Sequence, residues 1–190
     1  MIAMIAGRVG ASPFRIMVVE SIALAAVITA VAAARWPLVD AAYRRAGFSV
    51  FGYAAVLLAA PVVLLVITGY VDLLARAVGV QAPGELAGFD GHSLAWAVAV
   101  IAVVPPLFEE LAFRGLMFGA LRTLRRSEIY VISSFAFAML HLSIPSLLTH
   151  MPLGLYLCWL RERSRSVWPS TFAHFCHNFG VIVAELYGWT

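Results

Sequence analysis

The chain contains no lysine; all 13 of its basic residues are arginine. Charge of either sign is scarce. Only 12% of the 190 residues are charged and 63% are hydrophobic, whereas a soluble domain runs to about a quarter charged and about half apolar. That shortage excludes a soluble chaperone and a nucleic-acid-binding module, although the formal net charge is +3. The arginines stand in short loops between apolar runs, where positive charge sets membrane topology. Cysteine is nearly absent too. Cys158 and Cys176 fall inside apolar runs, with no C-x-x-C or other metal-ligand spacing. They read as small buried hydrophobes, neither a disulfide nor a metal clip. Internal repeats and low-complexity tails are missing.

What is present is apolar sequence, at a mean hydropathy of +0.93. The chain reads as one integral membrane domain over residues 1–190, with no room for a second. Six runs stand out: 16–34, 48–71, 93–121, 129–142, 147–160 and 167–187. They predict an all-α, polytopic transmembrane bundle of about six spans enclosing a polar cavity. The first run follows Arg8 and Arg15 but is 19 residues long. That exceeds a signal-peptide core, so it reads as a transmembrane helix with Trp36 near the interface. Pro61 predicts a kink and Pro105-Pro106 a break or bend, while Pro169 sits in a first turn, where proline is tolerated. The segments 35–47, 122–128 and 161–166 each carry three arginines. The positive-inside rule places them in the cytoplasm and both termini outside, with Arg8 and Arg15 weighing against. An arginine-only, alanine-rich chain is associated with GC-rich bacterial genomes. The expected location is therefore the cell membrane, multi-pass, as a bacterial inner-membrane protein.

Against this background the stretch 105–114, P-P-L-F-E-E-L-A-F-R, is expensive. A charged group at mid-membrane costs roughly 2.5–3.5 kcal/mol on insertion scales. On a helix Glu110 and Arg114 are at i and i+4 and can pair. Glu109 is turned about 100° away and lacks an in-helix partner. A lone carboxylate in a dry site is a candidate general base. Two further polar intrusions occur, F-A-M-L-H ending at His141 and H-F-C-H-N over 174–178. Glu109 is 13 residues from Arg122, His141 is 13 from Glu128, and Asn178 is 12 from Ser166. At 1.5 Å per residue all three lie about 18–20 Å from the arginine-rich side, and His174 about 12 Å. A single membrane histidine usually bonds a neighbour; convergence of Glu109, His141, His174 and Asn178 favours function. His177 reads as a supporting or interface residue, His92 and His150 as solvated loop residues, and Phe137 as packing. Ser170 and Thr171 read as helix-start hydrogen bonders, and Glu20 as a residue near a helix end or facing the bundle.

The ordered set E-E-x-x-x-R, F-x-x-x-H and H-x-x-x-N on separate apolar helices resembles the CPBP family. This is the CaaX protease and bacteriocin-processing (ABI) group of intramembrane glutamic endopeptidases. The segment G-L-Y-L-C-W-L-R from Gly154, with Trp168-Pro169 and then His174, is also similar, and the resemblance covers a core at about 93–187. It implies that Glu109 and His141 activate a water and that His174 and Asn178 stabilise the oxyanion. Glu110 and Arg114 would hold the geometry. No cofactor is expected, although Glu109, His141 and His174 could also supply three zinc ligands. Asn178 suits an oxyanion better than zinc, which favours the metal-free form. The implied partners are a membrane-associated protein or peptide substrate and the lipid bilayer, not nucleic acid. A sorting signal, leader or C-terminal tail fits a bacterial source better than a prenylated CaaX end. The competing reading is a non-catalytic immunity, transport or scaffold protein whose polar cluster binds a ligand or ion.

Overall fold

The computed structural model describes residues 12–44, 48–79, 84–141 and 144–189. Arg8, Arg45 and the Gln81-Ala82-Pro83 part of the linker lie outside them. The described chain is built of helices: α1 (Pro13–Ala34), α2 (Trp36–Tyr43), α3 (Val50–Val78), α4 (Leu94–Ala120), α5 (Arg126–Met139), α6 (Ile144–Ser164) and α7 (Val167–Leu186), with a short 3₁₀ turn over Glu85–Phe89. This is an all-α, multi-pass membrane protein. Each of the six apolar runs forms a helix. Three are long and apolar enough to cross a membrane on their own: α1, α3 over Val50–Ala77, and α4. Helix α5 has 14 residues, about 21 Å, which is shorter than a ~30 Å hydrocarbon core.

Local chemistry accounts for the boundaries. Ser12 and Ser49 open α1 and α3 by accepting the Arg15 and Gly52 amides at 3.3 and 3.2 Å. Gly79, at φ 70°, ends α3 in the left-handed conformation that glycine adopts without strain. The Glu128 carboxylate accepts the Arg125 amide at 2.9 Å and starts α5. Ser170 and Thr171 bond the Val167 carbonyl at 2.9 and 3.0 Å, as expected of helix-start residues. Arg126 pairs with Glu162 at 2.8 Å, which brings the 122–128 loop and the end of α6 to one side.

Several expectations change. Residues 36–43 are a helix, α2, where a loop was expected; Trp36-Pro37 provides a proline-containing first turn. Pro105-Pro106 do not break α4. It continues through two π-helical stretches, Val98–Val103 and Leu111–Met117, flanking the prolines. Widening to an i+5 register absorbs the lost main-chain bonds without ending the rod. Helix α6 begins at Ile144 and carries Pro152 within it. It therefore includes His150, which was expected in a loop. Glu20 lies on an exposed face of α1, seven residues in from Pro13.

The core joins α4, α5, α6 and α7 around Phe113, Phe137, Leu153, Leu157 and Ala173. Helices α5 and α6 approach closest at Gly154. A Cβ there would stand 2.9 Å from the Ser134 Cβ and 3.0 Å from its Cα. At Gly180 a Cβ would meet the Leu64 side-chain tip at 2.9 Å, which can swing aside. Gly154→Ala should therefore force α5 and α6 apart and cost about 1–3 kcal/mol, whereas Gly180→Ala should be nearly neutral. Thermal unfolding of both variants in detergent checks this, and equal melting temperatures would contradict it.

Candidate active site

The site grows from the centre of α4. Glu110 and Arg114 are completely buried and form the in-helix ion pair, Nη1 to Oε1, at 2.9 Å. Arg114 is held by several neighbours, although its buried Nε and the Glu110 Oε2 have no hydrogen-bond partner among the described residues. Its Nη2 donates to the Gly154 carbonyl of α6 at 3.0 Å. Its guanidinium lies over the Phe137 ring of α5, 4.6 Å from the centroid. Its own carbonyl accepts from Arg161 Nε at 2.9 Å. An ion pair in a dry interior persists only when such extra bonds offset desolvation.

Helix α7 supplies the next member. The His174 Nδ1 lies 3.2 Å from the same Glu110 Oε1 that binds Arg114. Its Nε2 faces Glu109 Oε2 at 4.0 Å. One imidazole thus stands between the two adjacent glutamates, buried like Glu109 itself. When Nδ1 carries its proton toward Glu110, the opposite nitrogen is turned to Glu109.

Phe137 joins the remaining parts. It is wholly buried and meets His174 edge-on at 5.5 Å and His141 at 5.7 Å between ring centroids. Among the described residues no hydrogen bond joins Glu109 to His141; His141 approaches the site past the Phe137 ring. Asn178 sits one turn beyond His174, and its Nδ2 donates to the Ile101 carbonyl at 2.9 Å. In an α register the donor to that carbonyl would be residue 105, and in a π register residue 106. Both are proline and neither has an N–H. Asn178 therefore satisfies a carbonyl that the Pro105-Pro106 pair orphans.

The sequence missed other participants. His150 is stacked on His141, Gly154 and Arg161 hold Arg114, and Phe137 is the hub of the aromatic contacts. The signal for His150 lay in its spacing, since it is one helical turn before Gly154. His177 is buried on the flanking face of α7 and lines a small cavity with Tyr156 and Ala173. His92 is exposed and stacks on Phe14. Among the described residues no three His, Cys, Asp or Glu side chains gather as a metal ion would require. An apolar groove of about 350 Å³ runs between α3, α4 and α7. Pro106 and Thr171 line it, one turn before Glu109 and His174 on their helices.

The arrangement is that of a helical membrane protein with a buried Glu–His–Glu–Arg chain at its centre. Residues 91–180 match the family described as type II CAAX prenyl endopeptidase Rce1-like. A Bacillus subtilis (strain 168) protein named "Putative membrane peptidase YdiL" is 30% identical over 92 residues. That alignment covers 47% of this chain and 37% of the relative, so little more than a third of the relative's length is spanned. No solved structure matches the chain. The segment 91–180, which carries all six candidate residues, is thus similar to that family of membrane endopeptidases.

Two measurements test this geometry. Arg114→Ala should destabilise the protein by about 3–5 kcal/mol by stranding buried Glu110. The double variant Glu110→Gln/Arg114→Met should recover part of that loss in detergent unfolding; no recovery would mean that the charge pair is not what Arg114→Ala disturbs. Asn178→Ala should cost about 1–3 kcal/mol by leaving the Ile101 carbonyl without a donor. Unchanged stability would rule out that anchoring role.

Proposed function

We propose that this protein is an intramembrane endopeptidase, hydrolysing a peptide bond of a membrane-associated or exported protein by a glutamate-dependent, metal-free mechanism. The observation that carries this reading is the buried Glu109 carboxylate facing His174 Nε2 at 4.0 Å, while Glu110 is already neutralised by Arg114. A contact of that length is the separation of two polar groups that share a water. A water 2.8 Å from each would subtend about 90° between them, a geometry its two polar sides accept.

In this reading Glu109 takes a proton from that water as its oxygen bonds to the scissile carbonyl carbon. His141, beyond Phe137, assists in holding the water. Negative charge moves to the carbonyl oxygen. His174, held from behind by Glu110, donates there through Nε2, and Asn178 offers the amide hydrogen not used by Ile101. The proton taken by Glu109 passes to the leaving nitrogen, the C–N bond breaks, and a carboxylic acid and an amine result, the acid's proton then passing to the amine as they depart. Preorganised donors of this kind are worth about 2.7–4 kcal/mol each in a dry site. General acid–base help contributes about 10²–10⁴ in rate. The groove that Pro106 and Thr171 line offers an apolar approach for a segment arriving from the bilayer. Candidate substrates are a sorting signal, a leader peptide or a C-terminal tail.

The test compares cells making wild type, Glu109→Gln and Glu110→Gln, with membrane insertion checked in each. Protein termini across the membrane proteome are the readout. Termini that appear with wild type and vanish with Glu109→Gln are the expected result. If no terminus differs between wild type and Glu109→Gln or deletion while deletion of the protein still has a phenotype, the ligand- or ion-binding alternative replaces the peptidase reading.

A further inference from the structure

The His141 ring is held by the rings around it. It follows the end of α5, in a tightened turn where its amide bonds the Ala138 carbonyl at 3.2 Å. Its Nδ1 is buried and has no hydrogen-bond partner among the described residues. Two neighbouring rings pack against it and limit its orientation. Phe137 presents an edge at 5.7 Å, with planes at 70°. His150 of α6 lies flat on it, with ring centroids 3.6 Å apart and planes within 28°. The same His150 ring also meets Phe137 at 6.0 Å, so the three rings form one cluster.

His150 is itself well placed to act as a fixed platform. Its Nδ1 lies 3.0 Å from the Thr149 hydroxyl, which is buried. It stands on the helix that carries Gly154, whose carbonyl receives Arg114. The position of α6 that anchors the buried arginine therefore also sets the position of the His150 ring. Stacked aromatic pairs are worth about 0.5–1.5 kcal/mol beyond their area burial. That is modest for stability, but orientation is what a catalytic ring needs, since misplacement by about 1 Å can cost on the order of 10²-fold in rate.

We propose that His150 is a positioning residue of the active site, holding the His141 imidazole in its working orientation by face-to-face stacking. The proposal rests on the peptidase reading for its kinetic consequence, but its geometric content stands apart from it. The ring, not the imidazole nitrogens, is what His141 requires from this position. A phenyl ring should therefore serve and a methyl group should not.

The test uses the full-length protein reconstituted in lipid vesicles. The substrate probe is the purified membrane protein whose cleavage the terminus comparison identifies. His150→Ala should lower kcat about 10-fold or more through the lost orientation, with KM within about twofold, while His150→Phe restores most of kcat. A merely structural role would lower the yield of folded protein and would not separate kcat from KM. Wild-type kcat in His150→Ala, or equal losses in the alanine and phenylalanine variants, would overturn the proposal. Glu109→Gln run alongside separates the two ideas, because retained cleavage there removes the glutamate-dependent mechanism alone, and absence of cleavage by wild type removes the peptidase reading while the NMR measurement below still tests the stacking. A second measurement needs no activity. The His141 ring protons, observed by NMR in detergent micelles with labelled histidine, should carry a ring-current shift that His150→Phe keeps and His150→Ala loses. Identical shifts in wild type and His150→Ala would sink the stacking outright.

Discussion

The buried bond between Glu110 and Arg114 is the constraint on which the rest of the centre depends. Two charges with no exposed surface cannot stay in an apolar bundle on mutual attraction alone. Here the requirement is met by drawing on three other helices. Helix α6 gives the Gly154 carbonyl, α5 gives the Phe137 face, and α7 gives His174 to the shared Glu110 oxygen. Each contact fixes the distance of one helix from α4. The closest is at Gly154, where only a missing side chain lets α6 press against Ser134 and bring its carbonyl to the guanidinium. Backbone approach and charge satisfaction are the same event at that point.

The proline pair is the second constraint and works through the backbone. Pro105 and Pro106 remove two consecutive amide donors just before the glutamates. The helix absorbs this by running in π register on both sides. An i+5 turn rotates the residues after it relative to an ideal α-helix, so it resets the direction in which Glu109 and Glu110 leave the rod. One carbonyl remains to be satisfied, that of Ile101, and Asn178 supplies the donor from α7. Four residues earlier on α7, His174 bonds Glu110. Helix α7 is thus tied to α4 at two levels, by a side chain to backbone bond above the prolines and a side chain to side chain bond below them.

How much of this the sequence could show depends on whether an interaction is local. The Glu110–Arg114 pair was legible because i and i+4 on a helix face each other whatever surrounds them. The convergence of three polar motifs was legible from their equal distance to arginine-rich helix ends. The individual partners were not, because they are set by how helices rotate against one another. Nothing in the spacing says that His174 would stand against Glu110 as well as Glu109, or that Phe137 would be the ring on which histidines and arginine meet. His150 was assigned to a loop because its neighbours include Pro145 and Pro152, yet α6 runs through Pro152. The role of Asn178 toward Ile101 could have been read earlier. Two adjacent prolines at membrane depth orphan a known carbonyl, and such a carbonyl requires a donor.

The same constraints explain why the two glutamates are not interchangeable. Glu110 carries one negative charge against Arg114, so that pair sums to zero. Glu109 then adds a negative charge to a site without exposed counter-charge, and a dry interior disfavours a net charge strongly. The groups within reach of a compensating proton are Glu109 itself and His174, whose Nε2 faces it at 4.0 Å. In the proposed mechanism the space between Glu109 and His174 is where a proton is exchanged. Peptide hydrolysis needs such a proton, first leaving the attacking water and then reaching the departing nitrogen. The chemistry proposed for this site draws on these unequal surroundings, Glu110 held by Arg114 at 2.9 Å and Glu109 left facing His174 at 4.0 Å.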